Sequence, residues 1–312
     1  MLNILKTTSE GLERLEDIEP GAWIDLVSPS EEELAGVSEA LGIPLSFLSG
    51  PLDREEKSRI DVEDELDLVH VIVDIPVVER TPSEQGYDTI PLGILLHPDC
   101  IVTTCLQTNP ILGDFERGAV KGFTTSKRTR FLLQVLLRVS SFYLRYLKRI
   151  DRETDKLERE LRASQKNEEI FDLLTLEKAL VYFSTSLRSN EAVLQKLVRT
   201  KEIRMYEEDQ DLLEDVIIEN KQAIEMAQIY SNILSGMMDA FASVISNNLN
   251  IVMKLLTSIT IIIAVPTLVA SVFGMNVHLP FEKSPIAFVV IVLISVGLAG
   301  AAAAIFWRKR YL

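Results

Sequence analysis

The chain has 312 residues and 46 acidic against 32 basic side chains, a formal net charge of −14, yet its mean hydropathy is positive at +0.17. Such an acidic balance argues against a nucleic-acid partner, whose phosphates need clustered Lys and Arg, and suits a protein that attracts cations. The two characters coexist because they are segregated: charged residues dominate to about Glu225 and apolar ones after Ile251.

The N-terminal "MLNILKTTSEGLERLEDIEP" lacks an apolar core of signal-peptide length, so the bulk of the chain is expected to stay where it is made. Over the first ~120 residues short β-like runs alternate with helical ones. "AWIDL" (Ala22–Leu26) reads as a strand. "SPSEEELAGVSEALGI" reads as a helix with Ser28 or Ser30 as N-cap and Glu31 to Glu33 at its positive end. "LDLVHVIVDIPVV", "TIPLGILLH" and "CIVTTCL" are rich in β-branched residues and are divided by turn signals at Pro82, Gly86 and Pro98. They predict a mixed sheet with helices packed on it. Cys100 and Cys105, at i and i+5 of a strand, point to opposite faces and read as buried reduced thiols, not as a disulfide or metal pair. His70 and His97 lie in β-like runs and read as satisfied sheet residues.

From Thr125 to Ile251 the pattern is helical, with no proline between Pro110 and Pro266. "FLLQVLLRVSSFYLRYLKRIDRETDKLERELRA" and "IFDLLTLEKALVYFSTSL" carry apolar residues three and four apart and predict an antiparallel pair, divided by the polar "RASQKNEE". The next helix begins near Asp209 and meets no breaker before the apolar C-terminal region. About 60 residues at 1.5 Å each reach on the order of 90 Å, far more than one bilayer. It therefore predicts a stalk, and an amphipathic stalk of that length needs partners.

Two runs are long and apolar enough to span a bilayer: Leu255–Gly274, about 20 residues, and Pro285–Trp307, about 23. Lys254 precedes the first, and Arg308, Lys309 and Arg310 follow the second. The positive-inside rule then puts both ends in the cytoplasm and "VHLP" and its neighbours outside. Phe306, Trp307 and Tyr311 read as interfacial anchors. The second span offers small residues, Gly297, Gly300 and Ala301 to Ala304, that permit close approach. The first is more polar. Steps of three and four give Asn250, Met253, Leu256, Thr260, Ala264, Thr267 and Ser271 on one narrow face. Around a symmetry axis that face makes a pore with an amide ring, an apolar collar at Met253 and Leu256, and hydroxyl rings above. Pro266 frees the Ile262 carbonyl.

The "FGMN" at the end of the first span resembles the Gly-Met-Asn signature of the CorA family of magnesium transporters. "WIDLVSPSEEEL", "SNNLNIVMKLLT" and the tail "WRKRYL" agree with it in order along nearly the whole chain. The resemblance implies an α+β cytoplasmic domain followed by a long stalk helix and two C-terminal transmembrane helices, assembled as a funnel-shaped homopentamer in the cell (inner) membrane. It implies Gly274, Met275 and Asn276 as the selectivity filter and Asn250, Met253, Leu256 and Thr267 as pore-lining. It implies Asp215 as a ligand of regulatory Mg²⁺ between subunits, with Asp74 and Glu79 as candidate partners. Phe273 stands where Tyr is commoner, and the outer loop holds one acid, Glu282.

The resulting division is an α/β domain over 1–122, a helical hairpin over 123–202, a stalk over 203–254, a pore helix over 255–274, an outer loop over 275–284, a second span over 285–307 and a basic tail over 308–312. Mg²⁺ demands octahedral oxygen coordination and dehydrates reluctantly. A filter that keeps its water needs neutral acceptors, as Asn276 and nearby carbonyls provide. The partners expected are copies of the chain, membrane lipid and divalent cations, with Mg²⁺ as cargo and regulator, no organic cofactor and no nucleic acid. The chain carries no phosphate-binding loop, HExxH or Ser-His-Asp pattern, so an enzyme is not expected. Other readings are transport of Zn²⁺, Co²⁺ or Ni²⁺, which softer ligands favour, and a membrane-anchored adaptor. His278 is the one imidazole near the mouth.

Overall fold

The computed structural model describes residues 1–80, 85–164, 168–200, 203, 205–275 and 286–311. The chain divides into two compact units, Met1–Ser235 and Gly236–Leu312.

The first unit is built on a seven-stranded sheet of β1 (Leu2–Thr7), β2 (Leu12–Leu15), β3 (Trp23–Val27), β4 (Arg59–Glu63), β5 (Leu68–Arg80), β6 (Gln85–Leu96) and β7 (Ile101–Cys105), in the order β2-β1-β3-β7-β6-β5-β4. Only β3 and β7 pair in parallel; the other neighbours are antiparallel. The four predicted strands carry over into β3, β5, β6 and β7, with one exception in detail. Gly86, read as a turn signal, lies inside β6 opposite Glu79. A glycine tolerates extended backbone as readily as a turn, and the long β5–β6 ladder decides between them.

Alternation along β3 explains how the sheet takes a layer on each face. Ile24 and Leu26 pack with Leu34, Val37, Leu48, Leu95 and Val102, beneath α1 (Glu31–Leu41) and α2 (Leu45–Ser49). Helix α1 opens with a full capping box: Ser30 Oγ accepts from Glu33 N, and Glu33 Oε2 accepts from Ser30 N. Ser28, the other candidate cap, stands just outside with φ 43°. Gly93 on β6 faces a short 3-10 turn at Gly50–Leu52, where a Cβ would overlap the Pro51 ring.

On the opposite face Trp23 meets Phe115, Phe123 and Phe131 edge to face, at centroid distances of 6.4, 6.1 and 5.0 Å. Phe115 comes from the short α3 (Pro110–Glu116) and Phe131 from α4 (Arg128–Ser164). Beside Trp23 lies a buried polar chain. Trp23 Nε1 donates to Thr103 Oγ1 (2.8 Å), which donates to Asp25 Oδ1 (2.6 Å). Asp25 is 2 % exposed, and burial drives its pKa up to about 7, against the lowering effect of the Thr103 hydroxyl. A folded-state pKa raised above the unfolded one means that the fold binds this proton more tightly. The associated stability is therefore full at acid pH and is lost as pH rises from about 4 to about 7. Asp25→Asn, which keeps an acceptor for Thr103, is expected to raise the unfolding temperature at pH 8 by several degrees and much less at pH 5. Trp23 fluorescence during thermal unfolding reads it, and an equal effect at both pH values would refute it.

Helices α4, α5 (Glu168–Arg199) and the first part of α6 (Glu207–Phe273) complete this unit. Helix α6 buries Leu213, Val216, Asn220, Ala223 and Ala227, three and four residues apart, and Leu234 a further seven on, the spacing of a coiled-coil seam. Asn220 Nδ2 donates to Leu187 O (3.2 Å) and Ser141 Oγ to Glu219 Oε2 (2.6 Å), while Arg130 reaches Glu208 (3.0 Å) and the buried Asp209 (3.5 Å). The opposite side of α6 stays exposed and carries Asp211, Asp215, Ile218, Ile229 and Ile233.

The second unit holds the rest of α6 and α7 (Ala287–Arg308). Both helices are long and apolar enough to cross a membrane. Helix α6 continues through Pro266 to Phe273 as one element. The less exposed residues of its apolar part, Ser258, Ile262, Val265, Pro266, Val269 and Phe273, form one stripe. Those of α7 are Ile291, Ser295, Ala299, Ala302, Ala303 and Phe306, again one stripe. Side chains on these two lines are the covered ones, as expected of helices that face each other along small residues. Gly297 and Gly300 were expected to serve close approach. Each instead faces open space within the chain, where a Cβ would meet nothing within 4 Å.

Candidate ion pathway and regulatory carboxylates

All seven predicted pore-lining residues, Asn250, Met253, Leu256, Thr260, Ala264, Thr267 and Ser271, are exposed in the single chain. At 100° per residue they fall on the side of α6 opposite the covered stripe. Met253 and Leu256 remain 52 % and 58 % exposed, so more than half of each large apolar residue is left uncovered by its own chain. A shallow recess follows Thr260, Ala264, Thr267 and Ser271, with Ile261 and Leu268 at its margins.

The hydroxyls on this face bond back to their own helix. Thr260 Oγ1 donates to Leu256 O (2.8 Å) and Thr267 Oγ1 to Ile263 O (2.9 Å). That bond does not remove them from ion chemistry. With its proton committed, each oxygen turns only lone pairs outward. The water coat of a cation presents hydrogens outward, so acceptors are the complementary groups.

At the end of α6, Gly274 N donates to Ala270 O (2.9 Å) and Ser271 O (3.2 Å), and Met275 N to Val272 O (3.4 Å). Gly274 therefore prolongs the helix, and its φ lies outside the left-handed region that a glycine-specific turn would use. Its lack of a side chain still matters, since a Cβ would approach Ala270 O to 3.3 Å. Met275 is 57 % exposed in the single chain. Asn276 lies outside the described residues, as do the loop residues Glu282 and His278.

The candidate regulatory carboxylates occupy different settings. Asp215 is exposed on α6, one turn beyond the exposed Asp211. Asp74 sits on β5 beneath α5, half-buried. Its backbone N–H donates to Asn190 Oδ1 (2.9 Å), and its carbonyl accepts from Asn190 Nδ2 (2.8 Å) and Tyr143 Oη (3.1 Å). Burial raises its pKa, partly offset by hydrogen bonds from Ser186 and Ser58. Asp74 thus joins β5 to α5 of its own chain, and a carboxyl held that way is less available to a metal. Glu79 pairs through its backbone with Gly86, and its side chain lies outside the description. Among the described residues no three His, Cys, Asp or Glu side chains gather into a metal-binding group, so a single chain does not unite Asp215 with a full ligand set.

The elements that the sequence reading did not place are β1, β2, α2, β4 and α3, each short. Cys100 and Cys105 are free and buried as expected, with the Cys100 thiol pushed up to about 12 by burial. His70 is buried against Phe47 and kept neutral, its pKa lowered to about 4 by burial and by Arg59.

The family profile described as CorA-like Mg²⁺ transporter protein matches residues 20–310. The chain is 32 % identical over 299 residues to a cobalt/magnesium transport protein CorA of Methanocaldococcus jannaschii, covering 93 % of this chain and 91 % of that one. A second protein of that name, from Thermotoga maritima, is 24 % identical over 293 residues, 90 % of this chain and 79 % of the other. The complete structure of the CorA magnesium transporter from Methanocaldococcus jannaschii superposes with a TM-score of 0.86 at 27 % identity, over 100 % of this chain and 99 % of that one. The α+β unit, the long helix and the two apolar C-terminal helices, taken with that profile and those relatives, place the chain in the CorA-like Mg²⁺ transporter family, whose members are transporters and not enzymes.

Proposed function

We propose that five copies of this chain form a passive, channel-like uptake route for hydrated Mg²⁺ in the cell inner membrane, with both termini in the cytoplasm. The observation that carries it is the exposed stripe from Asn250 to Ser271, turned away from the stripe that α7 covers. Five such stripes around an axis line a path, with α7 on the lipid side. The Ile218, Ile229 and Ile233 stripe on the earlier part of α6 is the matching surface for neighbours in the assembly.

Selection rests on Gly274, Met275 and Asn276. An amide oxygen from each subunit accepts hydrogen bonds from the ion's water without trapping the ion. Below, Thr267 and Thr260 continue the line of acceptors, and Met253 and Leu256 close the path by excluding water when the ring narrows. Uptake needs no ATP, because the membrane potential supplies about 2.3 kcal/mol per charge per 100 mV, hence roughly 4–5 for a divalent ion. Such a route needs a brake. Asp215 offers an exposed carboxylate to a regulatory Mg²⁺ shared with a neighbouring chain, which fits a hard cation with oxygen ligands. When internal Mg²⁺ falls, the carboxylates repel and the stalks loosen.

Cobalt enters through the names of the relatives, and both ions fit a path of oxygen acceptors. Zinc fits less well, because Gly236–Met275 and Ile286–Tyr311 hold no His or Cys. Purified protein in liposomes loaded with a divalent-ion indicator is expected to admit Mg²⁺ and Co²⁺ under an inside-negative potential, and Zn²⁺ several-fold more slowly. Zn²⁺ entering faster than Mg²⁺ would transfer the assignment to zinc, and no potential-driven entry of any ion would remove the channel.

A further inference from the structure

Helix α7 ends in an unusual way. Tyr311 N donates to Phe306 O (3.0 Å) and Arg310 N to Trp307 O (3.0 Å), the paired bonds of a Schellman cap, with Phe306 and Tyr311 rings 6.1 Å apart as its apolar contact. The cap requires a left-handed residue, normally glycine, and here that residue is Arg310 with φ 57°. The cap folds Tyr311 back so that its ring sits 5.6 Å from Lys254 Nζ on α6. Lys254, Arg308, Lys309 and Arg310 are thereby gathered where the two apolar helices end.

Among the described residues of Gly236–Leu312, these cations have no acidic side chain beside them. Residues Gly236–Leu312 contain two acids. Asp239 lies about four helical turns before Lys254 on the same helix, and Glu282 follows the far end of the first span. Among the described residues none of the four cations forms a salt bridge, while Arg308, Lys309 and Arg310 are exposed. A phosphate-type anion is the complementary ligand. At the end of a lipid-facing span its source is a headgroup, because Trp307, 77 % exposed beside Arg308, presents an interfacial ring to the same place.

We propose that Lys254, Arg308, Lys309 and Arg310 form a binding site for the headgroup of an anionic phospholipid of the cytoplasmic leaflet, closed on one side by Tyr311. Positive-inside topology accounts for basic residues at this end, but not for a cation at the one backbone position where glycine is favoured. The site rests on the two helices lying in a bilayer, and not on which ion they pass.

Trp307 makes it testable, since the other tryptophan, Trp23, is fully buried in the first unit. Full-length protein is placed in phosphatidylcholine bilayers containing a fixed fraction of brominated phosphatidylglycerol or, separately, brominated phosphatidylcholine. The brominated anionic lipid is expected to bind about two- to fivefold more strongly at Trp307, as judged by quenching. In Arg308→Gln/Lys309→Gln/Arg310→Gly, which restores the favoured cap residue, the preference is expected to fall to parity while quenching by the neutral lipid persists and reports normal insertion. Arg308→Lys, which keeps the charge, retains the preference. Soluble glycerol phosphate at millimolar concentration leaves it unchanged. Parity in the wild type, a preference surviving the triple substitution, or displacement by glycerol phosphate would each overturn the lipid site. Loss of neutral-lipid quenching in the wild type would instead overturn the membrane reading beneath it.

Discussion

Liposomes carrying the Asn276→Ala chain are expected to admit Mg²⁺ at about a tenth of the wild-type rate or less, with the assembly intact. The reasoning starts from the ion. A hydrated Mg²⁺ presents water hydrogens, and the filter must answer with acceptors because stripping the water is too unfavourable. Each hydrogen bond is worth about 1 kcal/mol net, and a factor of ten requires about 1.4, so a ring of five lost amides exceeds it. Alanine removes the acceptor and leaves the helical part of α6, which ends before residue 276, untouched. Asn276→Gln keeps the amide and is expected to recover part of the flux. Indicator-loaded vesicles measure the rate and size-exclusion mobility the assembly. Flux within twofold of wild type in the alanine variant would dismiss the filter assignment.

Asp215→Ala is expected to leave uptake intact while raising the internal Mg²⁺ needed to halve it by at least about fivefold, the range of an ordinary coupling free energy of 1–3 kcal/mol. Asp215 is exposed on α6, and a carboxylate free of its own chain can accept a ligand role without disturbing the fold. Asp74 provides the contrast. Its carboxyl meets the hydroxyls of Ser186 on α5 and of Ser58, so Asp74→Asn, which changes those contacts, is expected to shift thermal stability more than the Mg²⁺ block. Flux titrated against internal Mg²⁺ separates the two. An unchanged block in Asp215→Ala would take regulation away from that residue.

Much of the fold was legible because its signals are long. β5 and β6 carry runs of β-branched residues, and α4 to α7 keep their periodicity for many turns. Strands of four to six residues such as β1, β2 and β4 lack that redundancy, and their pairing comes from partners far along the chain. Gly86 shows the same limit, since local propensity named a turn where a ladder with Glu79 prevails. The candidate pathway was equally legible as a pattern on one helix, because exposure at helical spacing needs only 100° per residue to compute.

What the sequence determined by itself is the pair of C-terminal apolar helices: runs of that length, whose backbone must satisfy its own hydrogen bonds in lipid, form helices. Tertiary structure alone decided the surroundings of single side chains. It buried Asp25, which lifts its pKa to about 7, and gave the Asp74 carboxyl the hydroxyls of Ser186 on α5 and of Ser58. It also folded Tyr311 back to Lys254 through a left-handed Arg310. Each depends on dielectric, hydrogen-bond partners or backbone angle. These properties arise between residues distant in the chain, and no local pattern encodes them.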